Sequence, residues 1–319
     1  MVEKKKTKAK AHKKTAETTA GKERYVPPIE TSRRRDDEQE DRVRRMAIFT
    51  IEPPQRKLAD LVIPDATREQ LHSLLTRIRY QHVLYDDFGL RDIDPYGGRT
   101  AINLYGPPGT GKTFAAEAIA HELGMGLLRV NYSEIESKFV GETPKNIQAA
   151  FARAQAENAL LFFDEADSIL GKRLTNISQS TDHAVNVSRS VMLMALDRFS
   201  GVAVFATNLA SNYDTAFVRR ILGHVEMPLP NAAARRQLWQ AQIPARLPAD
   251  LTEKDWARLV RETEGLAGGD ILNSVVLAAA TAIQREGPAC RVGVEDFSAA
   301  VAAAKKAKRE IGVARKRRG

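Results

Sequence analysis

Hydrophobic positions along this chain change period twice, and the changes divide it into regions. Residues 1–45 show no apolar period; Pro27-Pro28 and clusters of mixed charge fall there, which predicts an unfolded, basic N-terminal arm. Leu71, Leu74, Leu75 and Ile78 then recur at helical spacing behind Asp65 and Thr67, predicting an amphipathic helix capped by those two residues. From Ala101 short apolar runs alternate with helical stripes. The runs at 101–105, 127–130, 159–163, 202–206 and near 224–227 predict strands. The stripes from Thr113 (Ala115, Ile119, Leu123), at 144–156 and at 185–199 predict helices, with a short turn-helix around 214–221. Such alternation predicts a parallel α/β sheet covered on both faces. After Pro230 the strand signal stops, and 232–242, 253–262, 271–285 and 295–305 read as helices alone. The expected division is an arm at 1–45, an α/β domain at 46–230, a helical subdomain at 231–304 and a basic tail at 305–319.

Composition narrows the class. The chain has 319 residues and 43% hydrophobic content, enough for a core. Cys290 stands alone, so no internal disulfide framework is possible, and the six histidines lack zinc spacing. No apolar run approaches the roughly 20 residues of a membrane span, and no signal-type apolar segment follows the Lys-rich start. A cytoplasmic protein is the expectation. The net charge of +9 belongs to the ends: residues 1–45 carry +6 and residues 305–319 carry +7, leaving the middle near −4. Such tails read as solvated arms, with counterion-release binding to nucleic acid, an anionic membrane or an acidic partner as the alternative.

The segment Gly106-Pro107-Pro108-Gly109-Thr110-Gly111-Lys112-Thr113 joins a predicted strand to a predicted helix. Glycines let backbone N–H groups converge on an anion, and a helix N-terminus adds the positive end of its dipole. Lys112 suits the β and γ phosphates of a nucleoside triphosphate, and Thr113 suits Mg²⁺. Phe114, next in the chain, is grouped with these nucleotide-contacting residues. The apolar run Leu160–Phe163 ends in Asp164-Glu165, where ligands of open parallel sheets bind. Asp164 suits the Mg²⁺ shell, and Glu165 the activation of a water attacking the γ-phosphate. A further strand ends in Thr207-Asn208, placing an amide where it can hold that water or the γ-phosphate.

Together GPPGTGKT at 106–113, LLFFDEAD at 160–167, ATN at 206–208, DTAFVRR at 214–220 and GLAGGD at 265–270 resemble a classical AAA ATPase module, over about residues 50–304. The resemblance implies a P-loop ATPase domain with a five-stranded parallel sheet, a small helical lid, ATP and Mg²⁺ as cofactors, and a homo-oligomeric, usually hexameric, ring. It implies that an arginine of the Arg219-Arg220 pair acts on a neighbouring subunit's nucleotide. The usual pattern spaces its arginines by two residues, whereas here they are adjacent, so either is a candidate. SKFVGET at 137–143 looks like the first pore loop of protein-remodelling members such as katanin and spastin, with Lys138, Phe139, Val140 and Gly141 gripping a polypeptide. The polar stretch 172–183 is a second pore loop or a plain connection. Leu61 and Val62 fall where the family contacts adenine, and Gly269, beside the Asp270 cap, where the lid approaches the nucleotide. The expected activity is ATP-driven remodelling of a protein; a nucleic-acid motor and a nucleotide-controlled assembly switch are the alternatives, the first disfavoured by the mildly acidic middle.

Overall fold

The computed structural model describes residues 37, 39–94, 98–131, 135, 142–171, 180–208 and 213–316. In chain order the elements are β1 (Ile51–Glu52), α1 (Asp65–Arg79), β2 (Ala101–Tyr105), α2 (Lys112–Glu122), β3 (Gly126–Asn131), α3 (Thr143–Ala156), β4 (Ala159–Asp164), α4 (Asp167–Leu170), α5 (Ser180–Arg198), β5 (Ala203–Thr207), α6 (Thr215–Val218) and β6 (Ile221–Glu226). Four helices follow: α7 (Ala232–Gln242), α8 (Glu253–Glu262), α9 (Gly268–Glu286) and α10 (Val294–Lys316).

The strands form one sheet in the order β1-β3-β4-β5-β2-β6. β2 to β6 are mutually parallel, as expected, and β1 adds a short antiparallel edge that the sequence pattern did not predict. Two residues carry no period, and β1 exists because Ile51 and Glu52 pair with Leu128 and Leu127. Period-two alternation divides each strand between the two faces. Leu160 and Phe162 join Leu104, Val204 and the residues of α1 and α2 on one face. Leu161 and Phe163 join Phe205 and residues of α3 and α5 on the other. Phe163 and Phe205 stack with centroids 5.2 Å apart.

The helices after Pro230 enclose their own core around Trp239, Ile271 and Phe297. Trp239 and Phe297 meet edge to face at 5.6 Å.

Three boundaries differ from expectation. Helix α1 starts at Asp65 with Pro64 before it and no side-chain cap; Thr67 instead donates to the Glu226 carbonyl at 3.4 Å, tying α1 to β6. Residues 43–45, expected in the unfolded arm, are helical. Their anchor is Arg45, which donates to both Glu142 carboxylate oxygens and to Asn146 Oδ1, each at 3.0 Å. Helix α10 runs through the expected basic tail as far as Lys316, because residues 304–311 hold no glycine or proline and are mostly strong helix formers.

Candidate functional site

The loop between β2 and α2 leaves the sheet where Gly106 N donates to the Thr207 carbonyl at 3.2 Å, joining it to the end of β5. Gly106 has φ +145°, and a Cβ there would lie 2.3 Å from the Met227 carbonyl oxygen, so only glycine fits. Gly111 opens α2 in the left-handed region, and the buried Leu61 side chain lies 3.5 Å from where its Cβ would stand. Leu61 is itself fixed by Arg68, which donates to its carbonyl at 2.7 Å. Val62 follows, half-buried. Phe114 carries the Arg56 guanidinium over its ring at 5.1 Å. Thr110 Oγ1 closes the loop on the Pro107 carbonyl at 2.9 Å. Pro108 and Gly109 are exposed on the loop's outer surface.

Lys112 is buried at the loop's centre. Its ammonium donates to Gly106 O at 2.7 Å, Pro107 O at 2.9 Å and Asn208 Oδ1 at 2.9 Å. Burial lowers its pKa below the ordinary lysine value, and the negative charges of Asp167 and Asp164 partly offset that. A cation so placed is matched to an anion entering the loop.

On the next strands the acids separate by role. Thr113 Oγ1 donates to Asp164 Oδ2 at 3.1 Å, putting two hard oxygen donors side by side. Among the described residues no group of three or more His, Cys, Asp or Glu could cage a metal. A hydroxyl and a carboxylate are donors of the kind that suit Mg²⁺, an ion that keeps water and phosphate in its shell and takes few protein ligands. Glu165 is exposed at φ +54°, a left-handed conformation uncommon for glutamate, with its N–H bonded to Asp164 Oδ1 at 3.0 Å. Strained backbone of this kind clusters at functional sites.

Asp167, first residue of α4, is a member of the site that the sequence reading missed. Its carboxylate accepts from Thr207 Oγ1, from Asn208 N at 2.7 Å and from Asn208 Nδ2 at 3.4 Å. It stands third in the acidic run of LLFFDEAD, which was the available signal. Asn208 thus bridges Lys112 and Asp167, and the ends of β2, β4 and β5 are joined by side chains.

Gly269 reaches the same loop from the helical side: its N–H donates to Gly109 O at 3.0 Å. Asp270 accepts from Ala267 N at 2.8 Å, the expected capping role, and also from Lys308 of α10 at 2.6 Å.

Arg219 and Arg220 follow α6, whose N-cap Asp214 accepts from Ala216 N at 2.9 Å. Neither arginine bonds to the phosphate loop of its own chain. Arg220 is engaged by Asp197, at 2.7 and 2.8 Å, and by the Ala216 carbonyl. The Asp197 hydrogen bonds hold its pKa above the ordinary arginine value. The Arg219 side chain is exposed and has no partner among the described residues. Lys138, Phe139, Val140 and Gly141 lie outside the described residues, as do 172–179.

Residues 102–229 match the family described as "ATPase family associated with various cellular activities (AAA)". The chain carries an AAA ATPase domain. With this domain it is 32% identical over 255 residues to the proteasome-activating nucleotidase of Methanothermobacter thermautotrophicus, covering 75% of this chain and 60% of that protein. It is 31% identical over 230 residues to vacuolar protein sorting-associated protein 4A of Homo sapiens, covering 71% of this chain and 51% of that one. The chain therefore spans little more than half the length of these relatives. The crystal structure of the FIGL-1 AAA domain superposes with a TM-score of 0.64 at 23% identity, over 80% of this chain and 85% of that one, a likeness of fold. No helix among the described residues is long and apolar enough to cross a membrane.

Proposed function

We propose that the chain hydrolyses ATP with Mg²⁺, as a homo-oligomeric ring of hexameric type, and uses the cycle to remodel a protein substrate. The observation that carries this is the bonded series Thr113–Asp164, Lys112–Asn208 and Asn208–Asp167, which gathers a cation, hard oxygen donors and an oriented amide at the carboxyl ends of three parallel strands.

In this reading residues 46–230 are the ATPase body and 231–304 its lid, supported by the separate core around Trp239. The arm and the tail flank them. Lys112 exchanges its loop carbonyls for phosphate oxygens when ATP enters, and its charge stabilises the triphosphate. Leu61 and Val62 would contact the adenine, with Phe114 and Gly269 beside the nucleotide. Bound Mg²⁺ would supply charge neutralisation at the phosphates, held by Thr113 and Asp164. Glu165, exposed beside Asp164, takes the proton of the attacking water, and Asn208 orients that water or the γ-phosphate. Arg219 acts on the neighbouring subunit's phosphate, because its side chain is exposed and has no partner among the described residues. Lys138 to Gly141 are assigned to grip the substrate polypeptide on the sequence resemblance alone. The named activities of the relatives, one a proteasome-activating nucleotidase and one a vacuolar sorting protein, support a protein substrate. The lone Cys290, buried, suits the reducing cytoplasm.

Glu165→Gln tests the chemistry. The expected result is retained ATP binding with hydrolysis lost by a factor of about 10² or more. Hydrolysis at the wild-type rate removes Glu165 from the mechanism.

A further inference from the structure

Asp167 opens α4, and an acid at a helix start ordinarily serves its own helix. This carboxylate turns instead to the end of β5. Its Oδ1 accepts from Thr207 Oγ1 and, at 2.7 Å, from the Asn208 backbone N–H, while its Oδ2 faces Asn208 Nδ2 at 3.4 Å. One carboxylate thus holds the main chain and the side chain of a single residue. The other end of that side chain is also engaged, because Asn208 Oδ1 accepts from the Lys112 ammonium at 2.9 Å.

These contacts fix which way round the amide lies. A carboxylate only accepts and an ammonium only donates, whereas an amide has one end of each kind. Turning Asn208 over would set its oxygen against Asp167 and its NH₂ against Lys112, two repulsive contacts in place of two attractive ones. In the proposed cycle Lys112 leaves for the phosphates. Asp167 is then the partner that keeps the amide's sense.

Asp167 is itself braced. Ala166 N donates to the Ala206 carbonyl at 2.9 Å, tying the start of α4 to the end of β5. The Ser168 carbonyl accepts from Nε and a terminal nitrogen of Arg189, a residue of α5 that is only 4% exposed. A guanidinium so buried is costly unless it is bonded, and its bonds here hold α4 in place.

We propose that Asp167 is a positioning residue for hydrolysis, which holds Asn208 with Oδ1 on the Lys112 side so that the amide meets the attacking water as an acceptor. The inference rests on the proposed function, and it decides between the two partners that reading gives Asn208. Phosphate oxygens have no hydrogen to donate, so an amide oxygen turned to them would repel; a water can donate to it.

A double-mutant cycle in the full chain provides the test, read as kcat, KM for ATP and affinity for a fluorescent, non-hydrolysable ATP analogue. Asp167→Asn is isosteric. Its oxygen can keep the bonds from Thr207 and Asn208 N, while its NH₂ faces that of Asn208 and turns the amide over. The expected kcat falls on the order of tenfold to a hundredfold, as misplacement near reacting atoms does, with KM and analogue affinity within about twofold of wild type. Asp167→Ala, which removes all three bonds, should lose at least as much and serves the same cycle. Asn208→Ala should also be impaired, and adding either Asp167 substitution to it should cost little further, because the residue through which Asp167 acts is gone. Wild-type kcat in Asp167→Asn, or losses that multiply in the double variants, would overturn the positioning role. A fall in analogue affinity with kcat kept would do the same, tying Asp167 to the charge of Lys112 alone. Wild-type hydrolysis by Asn208→Ala, or a wild-type protein that hydrolyses no ATP, would instead overturn the reading of the site on which the inference rests.

Discussion

Arg220 grips both carboxylate oxygens of Asp197, at 2.7 and 2.8 Å, while the exposed Arg219 side chain beside it has no partner among the described residues. On the proposed function, the two adjacent arginines of identical chemistry have different duties. Arg219→Ala should abolish hydrolysis, by a factor of about 10³ or more, with ATP binding unchanged. Arg220→Ala should cost about 1 kcal/mol or less of stability, since its pair is largely exposed, and should reduce hydrolysis less. Steady-state hydrolysis and thermal melting of both variants check this; equal losses of hydrolysis would contradict it.

Two glycines with positive φ separate strain from collision. Gly124 has φ +66° and nothing within 4 Å of a built Cβ, so Gly124→Ala should cost only the left-handed backbone term, about 1–2 kcal/mol. Gly106→Ala adds a Cβ 2.3 Å from the Met227 carbonyl, which must move. It should destabilise the protein more than Gly124→Ala and weaken ATP binding. Denaturant melts with and without ATP measure both effects, and equal costs at the two positions would contradict the collision.

The protein's two tryptophans, Trp239 and Trp256, both lie in the helices after Pro230 and belong to or pack against their core, so their fluorescence reports on that core. Asp296 is held below the usual carboxylate range by its Arg285 hydrogen bond, and Glu295 by Arg258. Depressed folded-state pKa values give stability that is full above the unfolded values, 3.8 for aspartate and 4.5 for glutamate, and is lost as pH falls through the folded ones. Acid titration should therefore loosen this helical core from about pH 4 downward. Asp296→Asn, lacking the titrating group, should be less stable at pH 7 and show a shallower acid dependence. A tryptophan signal with the same pH profile in both proteins would contradict the assignment.

Most of the sheet was legible in the sequence because its strands are buried on both faces and bounded by loops with strong chemistry; Ala101–Tyr105 is read to the residue. The phosphate loop was legible for the same reason, since each of its residue types answers a physical need. What was not legible depends on partners remote in sequence. Strand β1 exists only through pairing with β3, and the order of residues 43–45 follows from Arg45 meeting Glu142. Asp167 has no local signature beyond its charge, and its meaning comes from Asn208, 41 residues away. The proposed preference for Arg219 over Arg220 likewise draws on Asp197, on a different helix.

A site completed by the neighbouring subunit is the central claim, and mixing Lys112→Ala with Arg219→Ala tests it most directly. Each protein alone should be inactive, and the mixture should hydrolyse ATP, because the first supplies Arg219 to the second's intact nucleotide site. A mixture as silent as its components, or an Arg219→Ala protein that is fully active alone, would contradict it.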